Sequence, residues 1–225
     1  MEGEIKYSDF ILYGYWRSSC TWRVRLALII KGIDFIYKPV NLLKGEQQSE
    51  EYLKINQFGR VPLLEFTETK GDISRKIKLT ESAAIIEFIE DIFPDKYPLL
   101  PKDPIQRAKV KAFCYHIACN IQPLQNLSTL KKVESLGGDK LEWAFDFINR
   151  NLSVLEKDVI STVGKYCFGD NITLADIYLI PQLYFFKRFN KPLTDYPNLD
   201  KIRENLEKLD SIIKGDAINQ IDAEK

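Results

Sequence analysis

Residues 15–32 read Y-W-R-S-S-C-T-W-R-V-R-L-A-L-I-I-K-G, and a strand pattern gives way to a helical one inside them. Just upstream, Phe10 to Tyr13 is an apolar run of strand type, which the small and polar residues from Gly14 to Ser19 interrupt. From Thr21 the periodicity is helical. Val24, Ala27 and Leu28 fall on one face with Ile30 beside them, and Arg23, Arg25 and Lys31 supply charge. Gly32 follows the last periodic residue, where helices commonly end. Ser18, Ser19 and Cys20 therefore sit in a strand-to-helix turn. Unpaired backbone N–H groups and the helix dipole favour an anion there. A thiolate, a phosphate or a carboxylate would suit the place.

The chain has 225 residues, 45% of them hydrophobic and 28% charged, with a formal net charge of zero. This is room for one large domain or two modest ones, and the charge balance favours neither nucleic acid nor an acidic membrane surface as partner. The charged start (M-E-G-E-I-K-Y-S-D) has no apolar core of a signal peptide, and no apolar run reaches membrane-spanning length. Four cysteines (Cys20, Cys114, Cys119, Cys167) lack metal-ligand spacing, and His116 is the one histidine. A metal site or a histidine-based triad has almost no material, and reduced thiols in the cytoplasm are expected.

Residues 34–40 read as a second short strand. Asn41 to Glu50 is polar and loop-like, and Glu51 to Asn56 has room for a turn or two of helix. Gly59-Arg60-Val61-Pro62 leads into a third strand, Leu63 to Phe66. Thr67 to Arg75 is expected as a polar hairpin region, followed by a fourth strand, Lys76 to Leu79. A periodic helix then runs from Ala83 to Phe93 and is stopped by Pro94. The order β-α-β-α-β-β-α, with a parallel crossover and then a hairpin, matches a thioredoxin-like α/β unit over residues 1–93. Residues 94–104, holding four of the ten prolines, read as a linker. Everything from 105 to 225 is helical in pattern. A long or kinked helix is expected over 105–132, because Pro123 lies inside it. An amphipathic helix follows over Lys140 to Ile160, then a nearly all-apolar, hence buried, helix from Thr173. Thr173 and Asp176 have the spacing of a capping box. One more helix is expected over Pro197 to Leu209, with a frayed tail after Gly215.

Each candidate residue has two readings. Ser18 and Ser19 are common helix-capping types. Cys20 at a helix start is either a lowered-pKa nucleophile or a thiol half-covered by Trp22. Val61-Pro62 is either an ordinary trans proline at a strand start or a cis bond that presents backbone groups to an extended ligand. Glu81 and Ser82 either cap a helix or hold the two charges of an amino-acid terminus. Gln122, Gln125, Asn126 and Ser128 are either solvated or line a cleft between domains. Cys114, Cys119 and His116 receive no role, and Tyr184-Phe185-Phe186 reads as core.

Taken together, Y-W-R-S-S-C-T-W-R-V-R, the Val61-Pro62 turn, Glu81-Ser82, the run I-Q-P-L-Q-N-L-S (121–128) and G-D-N-I-T-L-A-D (169–176) resemble the zeta class of glutathione transferases, over nearly the whole chain. The resemblance implies a glutathione transferase fold: a thioredoxin-like N-terminal domain binding glutathione and an all-α C-terminal domain supplying the substrate pocket. It implies glutathione as cofactor and a small dicarboxylate substrate, isomerised from maleylacetoacetate to fumarylacetoacetate in tyrosine and phenylalanine breakdown, by a cytoplasmic homodimer. Ser18 would bond the glutathione sulfur, with Ser19 and Cys20 shaping the same catalytic pocket. Val61 would pair with the cysteinyl backbone beside a cis Pro62. Glu81 and Ser82 would hold the γ-glutamyl end, Gln48 the glycyl side, and Gln122, Asn126 and Ser128 the facing wall. Arg17, Arg23 and Arg188 are the cationic candidates for substrate carboxylates. The sequence departs from the family where Trp16 replaces the usual phenylalanine, in a shorter loop over Lys44 to Gln48 and in a longer Thr67 to Lys78 hairpin. Rival readings are another electrophile (maleylpyruvate or an α-haloacid), a Cys20-based thiol transferase, and a non-catalytic protein of the same fold.

Overall fold

A computed structural model describes residues 4–187, 189 and 191–224. Contacts divide the chain into two units: Met1–Tyr97 with Ile213–Lys225, and Pro98–Ile212.

The first unit has the expected order. Strand β1 (Ile5–Gly14) leads into helix α1 (Ser19–Ile30), then β2 (Ile36–Pro39), α2 (Glu50–Ile55), β3 (Leu63–Lys70), β4 (Ile73–Thr80) and α3 (Ser82–Ile92). The sheet order is β2-β1-β3-β4, with β2 parallel to β1 and the remaining pairs antiparallel. Leu12, Leu64 and Phe66 from the sheet are buried, as are Leu26 and Leu28 from α1 and Ile85, Ile86 and Ile89 from α3. Each such side chain contributes about 1.5–3 kcal/mol of burial free energy.

Two expectations change here. Strand β1 begins at Ile5 rather than Phe10, because a bulge at Asp9 (φ 54°) shifts its register against β3 and hides the alternation. The segment Thr67 to Arg75 is not a loose hairpin region. Its ladder runs unbroken from Leu63↔Thr80 to Lys70↔Ile73, leaving only Gly71 and Asp72 as the turn. Its side chains are polar on both faces near the sheet end, so burial imposes no period there. The charges of this stretch, Arg23, Arg25 and Lys31, are each buried. Lys31 pairs with Glu90 at 2.8 Å and donates to the Phe93 carbonyl, while Arg25 donates from Nε to the Gly215 carbonyl at 2.9 Å. The α1 terminus is a Schellman turn, with Gly32 at φ 62° and Ile33 N–H bonded to the Leu28 carbonyl.

The second unit is helical: α4 (Pro104–Tyr115), α5 (Leu127–Ser135), α6 (Lys140–Val159), α7 (Leu174–Lys187), α8 (Pro197–Leu206) and the start of α9 (Asp210–Gly215). The expected long helix over 105–132 is broken further than a single kink. It widens to π-type winding over His116–Ile121, tightens over Gln122–Gln125, and restarts after Asn126. Helix α7 is buried almost all round, as its composition requires. At its start Asp176 accepts from Thr173 N–H (2.7 Å), Thr173 Oγ (2.9 Å) and Cys167 N–H (2.9 Å).

The tail corrects a further expectation. Residues 213–225 group with the first unit, so the helical unit ends at Ile212 and not at the C-terminus. The tail is not frayed: Asp222 Oδ2 accepts from the Trp16 N–H at 2.9 Å and from the Tyr37 hydroxyl at 3.2 Å. Among the described residues no helix is long and apolar enough to cross a membrane.

Candidate functional site

Strand register brings the N-terminal candidates to one end of the sheet. Gly14 pairs with Pro39, Tyr13 with Leu63, and Leu63 with Thr80. One step beyond that line lie the turn from Tyr15 to Ser18, the Val61–Pro62 peptide and the Glu81–Ser82 helix start. Residues far apart in sequence thus share a sheet edge because three strands terminate together.

The turn itself is closed by a hydrogen bond from Ser18 N–H to the Tyr15 carbonyl (2.9 Å). Gly14 precedes it for want of space: a Cβ there would sit 2.1 Å from Thr21 Cγ2. Ser18 is the N-cap of α1, and its Oγ accepts from the Thr21 N–H at 3.2 Å. The hydroxyl proton stays available to donate, because capping uses only a lone pair. The N–H groups of Ser19 and Cys20 lie in the first helical turn and have no acceptor within the helix. No acidic residue stands in that turn to compete for them. Ser18 is half-buried, Ser19 buried and Cys20 half-buried. Arg17 is half-buried, with its guanidinium 5.3 Å from the centre of the Trp16 ring. Arg23 is 1% exposed and lies under the turn, its Nη1 4.0 Å from the Cys20 sulfur.

The Val61–Pro62 peptide is cis. The loop before it is held from behind: Gln48 Nε2 donates to the Gly59 carbonyl (3.0 Å), and the Tyr52 hydroxyl and Asn56 Nδ2 both donate to the Arg60 carbonyl (2.8 Å). Burial raises the Tyr52 phenol above its usual range, which keeps it a donor. Glu81 is exposed at φ 67° and precedes α3, and Ser82, buried at its first position, starts that helix. Glu81 is therefore the N-cap position, and Ser82 is not.

In the second unit Asn126 caps α5, its Oδ1 accepting from Ser128 N–H and Oγ (both 3.2 Å). Gln122 lies in the tight turn before it. Gln125 is buried and exchanges two amide hydrogen bonds with Gln182, each 3.0 Å. Arg188 lies outside the described residues.

The family Glutathione S-transferase, N-terminal domain, matches residues 17–92, and Glutathione S-transferase, C-terminal domain, matches residues 131–214. The maleylacetoacetate isomerase of Dictyostelium discoideum is 40% identical over 95% of this chain and 96% of its own. A bacterial maleyl pyruvate isomerase, a zeta-class glutathione transferase, is 31% identical, covering 95% of this chain and all of its own, with a TM-score of 0.84. The chain belongs to the zeta class of glutathione transferases. A crystal structure of maleylacetoacetate isomerase from Anaeromyxobacter dehalogenans 2CP-1, with glutathione in its active site, superposes on this transferase with a TM-score of 0.86. It is 37% identical and each chain is wholly covered; the same enzyme has also been solved with dicarboxyethyl glutathione and citrate.

The residues of this zeta-class chain fit glutathione on their own chemistry. A half-buried hydroxyl with a free proton and open N–H groups suit a thiolate, while an exposed carboxylate beside a second helix start suits an α-amino acid end. Sequence reading missed Tyr52 and Asn56, whose role depends on where the Arg60 carbonyl folds. It also missed Asp222, which lies 206 residues from Trp16.

Proposed function

We propose that this protein is a maleylacetoacetate isomerase, converting the cis substrate to fumarylacetoacetate with glutathione as cofactor. The observation that carries this reading is 40% identity to such an isomerase over 95% of the chain, in a protein that keeps an open helix start at Ser18.

When bound, glutathione supplies a thiolate that adds to the conjugated cis double bond, permits rotation, and leaves unconsumed. Ser18 donates a hydrogen bond from its hydroxyl to the sulfur, and the first turn of α1 adds its dipole. A free thiol has a pKa of roughly 8.5, so this stabilisation is what makes the reactive form abundant near neutrality; each pH unit corresponds to about 1.4 kcal/mol. Ser19 and Cys20 shape the same pocket and offer backbone N–H groups. Val61 pairs through its backbone with the peptide part of the cofactor, and Glu81 and Ser82 hold its γ-glutamyl end. Gln48 acts mainly by propping the Gly59 loop. Gln122, Asn126 and Ser128, in the second unit, are the remaining glutathione-binding candidates. Arg17 meets a substrate carboxylate, Arg188 the other, and the buried Arg23 contributes charge from beneath the turn. The enzyme works as a homodimer in the cytoplasm; the family resemblance supports the first and four cysteines outside any disulfide the second.

The test is isomerisation of maleylacetoacetate, or its analogue maleylacetone, with and without glutathione. Turnover that needs glutathione and consumes none is expected. Tight glutathione binding without turnover would transfer the reading to maleylpyruvate, which the maleyl pyruvate isomerase relative favours. No binding would sink the enzyme altogether.

A further inference from the structure

The peptide of Trp16 is gripped on both sides by groups the proposed reaction does not use. Trp16 occupies the second position of the turn that ends at Ser18. Its N–H donates to Asp222 Oδ2 at 2.9 Å, and its carbonyl accepts from Arg25 Nη2 at 3.1 Å. The Tyr37 hydroxyl, on β2, donates to the same Asp222 oxygen at 3.2 Å, and Arg25 Nε holds the Gly215 carbonyl at the root of the tail. The Arg25 guanidinium is buried between the rings of Trp22 and Tyr37, 5.8 Å from each. Trp16 is 5% exposed, so its peptide has no water to substitute for a lost partner. These contacts all lie within the first unit.

We infer that Asp222 is a positioning residue: through the Trp16 N–H, with Tyr37 and Arg25 completing the clamp, the C-terminal tail fixes the turn that aims the Ser18 hydroxyl. The geometry requires it to act through the turn and not on the cofactor. A four-residue turn closed by a single hydrogen bond leaves its second and third residues free to rock, and rocking swings the residue that follows. Small misplacements of a reacting group are expensive in rate. The inference rests on the reading of Ser18 as the residue that bonds the glutathione sulfur.

The experiment compares Asp222→Ala, Asp222→Asn and Tyr37→Phe in the full-length protein. Two readouts are taken: kcat and KM for isomerisation, and the pH titration of the ultraviolet thiolate absorbance of bound glutathione. Asp222→Ala is expected to lower kcat about tenfold to a hundredfold, with a much smaller change in KM for glutathione. It should also raise the titration midpoint by about one pH unit. Asp222→Asn keeps an acceptor oxygen and should restore most of both, and Tyr37→Phe should fall between. In a Ser18→Ala background, Asp222→Ala should cause no further rise in the midpoint, whereas general loosening of the fold would add to it. An unchanged midpoint and kcat in Asp222→Ala, or in Tyr37→Phe should the alanine variant fail to fold, overturns the positioning role. The outcome is separable from failure of the isomerase reading, because the titration reads cofactor ionisation without any substrate. Wild-type protein that binds no glutathione would refute that underlying reading and the inference with it.

Discussion

Two helix starts in this protein each carry a hydroxyl residue and use it to opposite ends. At α7, the Asp176 carboxylate receives three hydrogen bonds in a fully buried setting, and the Leu174 N–H is taken by the Leu99 carbonyl. The Thr173 hydroxyl even turns toward that carboxylate. At α1, Ser18 satisfies a single N–H, and no acidic residue follows in the first turn. A helix start that satisfies itself stabilises the fold. One left open and half-exposed suits an anion instead.

Removing the carboxylate at the closed start should have the largest effect. Asp176→Ala leaves the Cys167 and Thr173 N–H groups buried without partners, and should cost about 4 kcal/mol of unfolding free energy in urea titrations. Turnover per folded molecule should survive. Ser18→Ala should reverse that profile. It costs only about 1 kcal/mol of stability as a lost cap, while glutathione-dependent kcat falls about a hundredfold to a thousandfold, as for loss of a donor to a developing anion. A variant that loses stability and activity in the same proportion at either position would erase the contrast.

A pH series sharpens it. Burial raises the Asp176 carboxyl above its ordinary 3.8, outweighing the hydrogen bonds that lower it. The native state therefore binds this proton more tightly than the unfolded chain. The group's stabilising contribution is complete below pH 3.8 and is lost as pH rises through the native value. Against Asp176→Asn, wild-type unfolding free energy should decline across that window. A parallel pair of pH curves would show that folding leaves the Asp176 carboxyl unshifted. The smallest effect is reserved for Cys20→Ala, which leaves the Ser18 hydroxyl and the backbone N–H groups in place and should change kcat by less than about threefold. A loss equal to that of Ser18→Ala would transfer the central role to the thiol. Thiol labelling checks the same neighbourhood: Cys119 is exposed and should react first and Cys20 next, while Cys114 and Cys167 are buried and should wait for unfolding. The Cys167 thiol is pushed up by burial and by Asp176, which slows it further.

Much of this was legible locally. The Ser18 cap and the Thr173–Asp176 pair each depend on a few adjacent residues, and adjacent residues are what a sequence displays. The thioredoxin-like element order followed from periodicity, and the family resemblance tied Val61, Glu81 and Gln122 to one chemistry. Where periodicity vanished, reading failed. Thr67 to Lys70 is strand with polar residues on both faces, and nothing in its pattern distinguishes it from loop.

The sequence by itself determined the elements, their order and the residue types available at each helix start, because hydrophobic period and capping preference are short-range. Tertiary structure alone decided which charges are buried and which groups meet. Arg25 reads only as a charge until Gly215 returns from 190 positions away, and Asp222 reads as tail until Trp16 is there to donate to it. A buried polar group is stabilised by whichever partner the fold delivers, and chain separation leaves no mark of that partner in the local pattern.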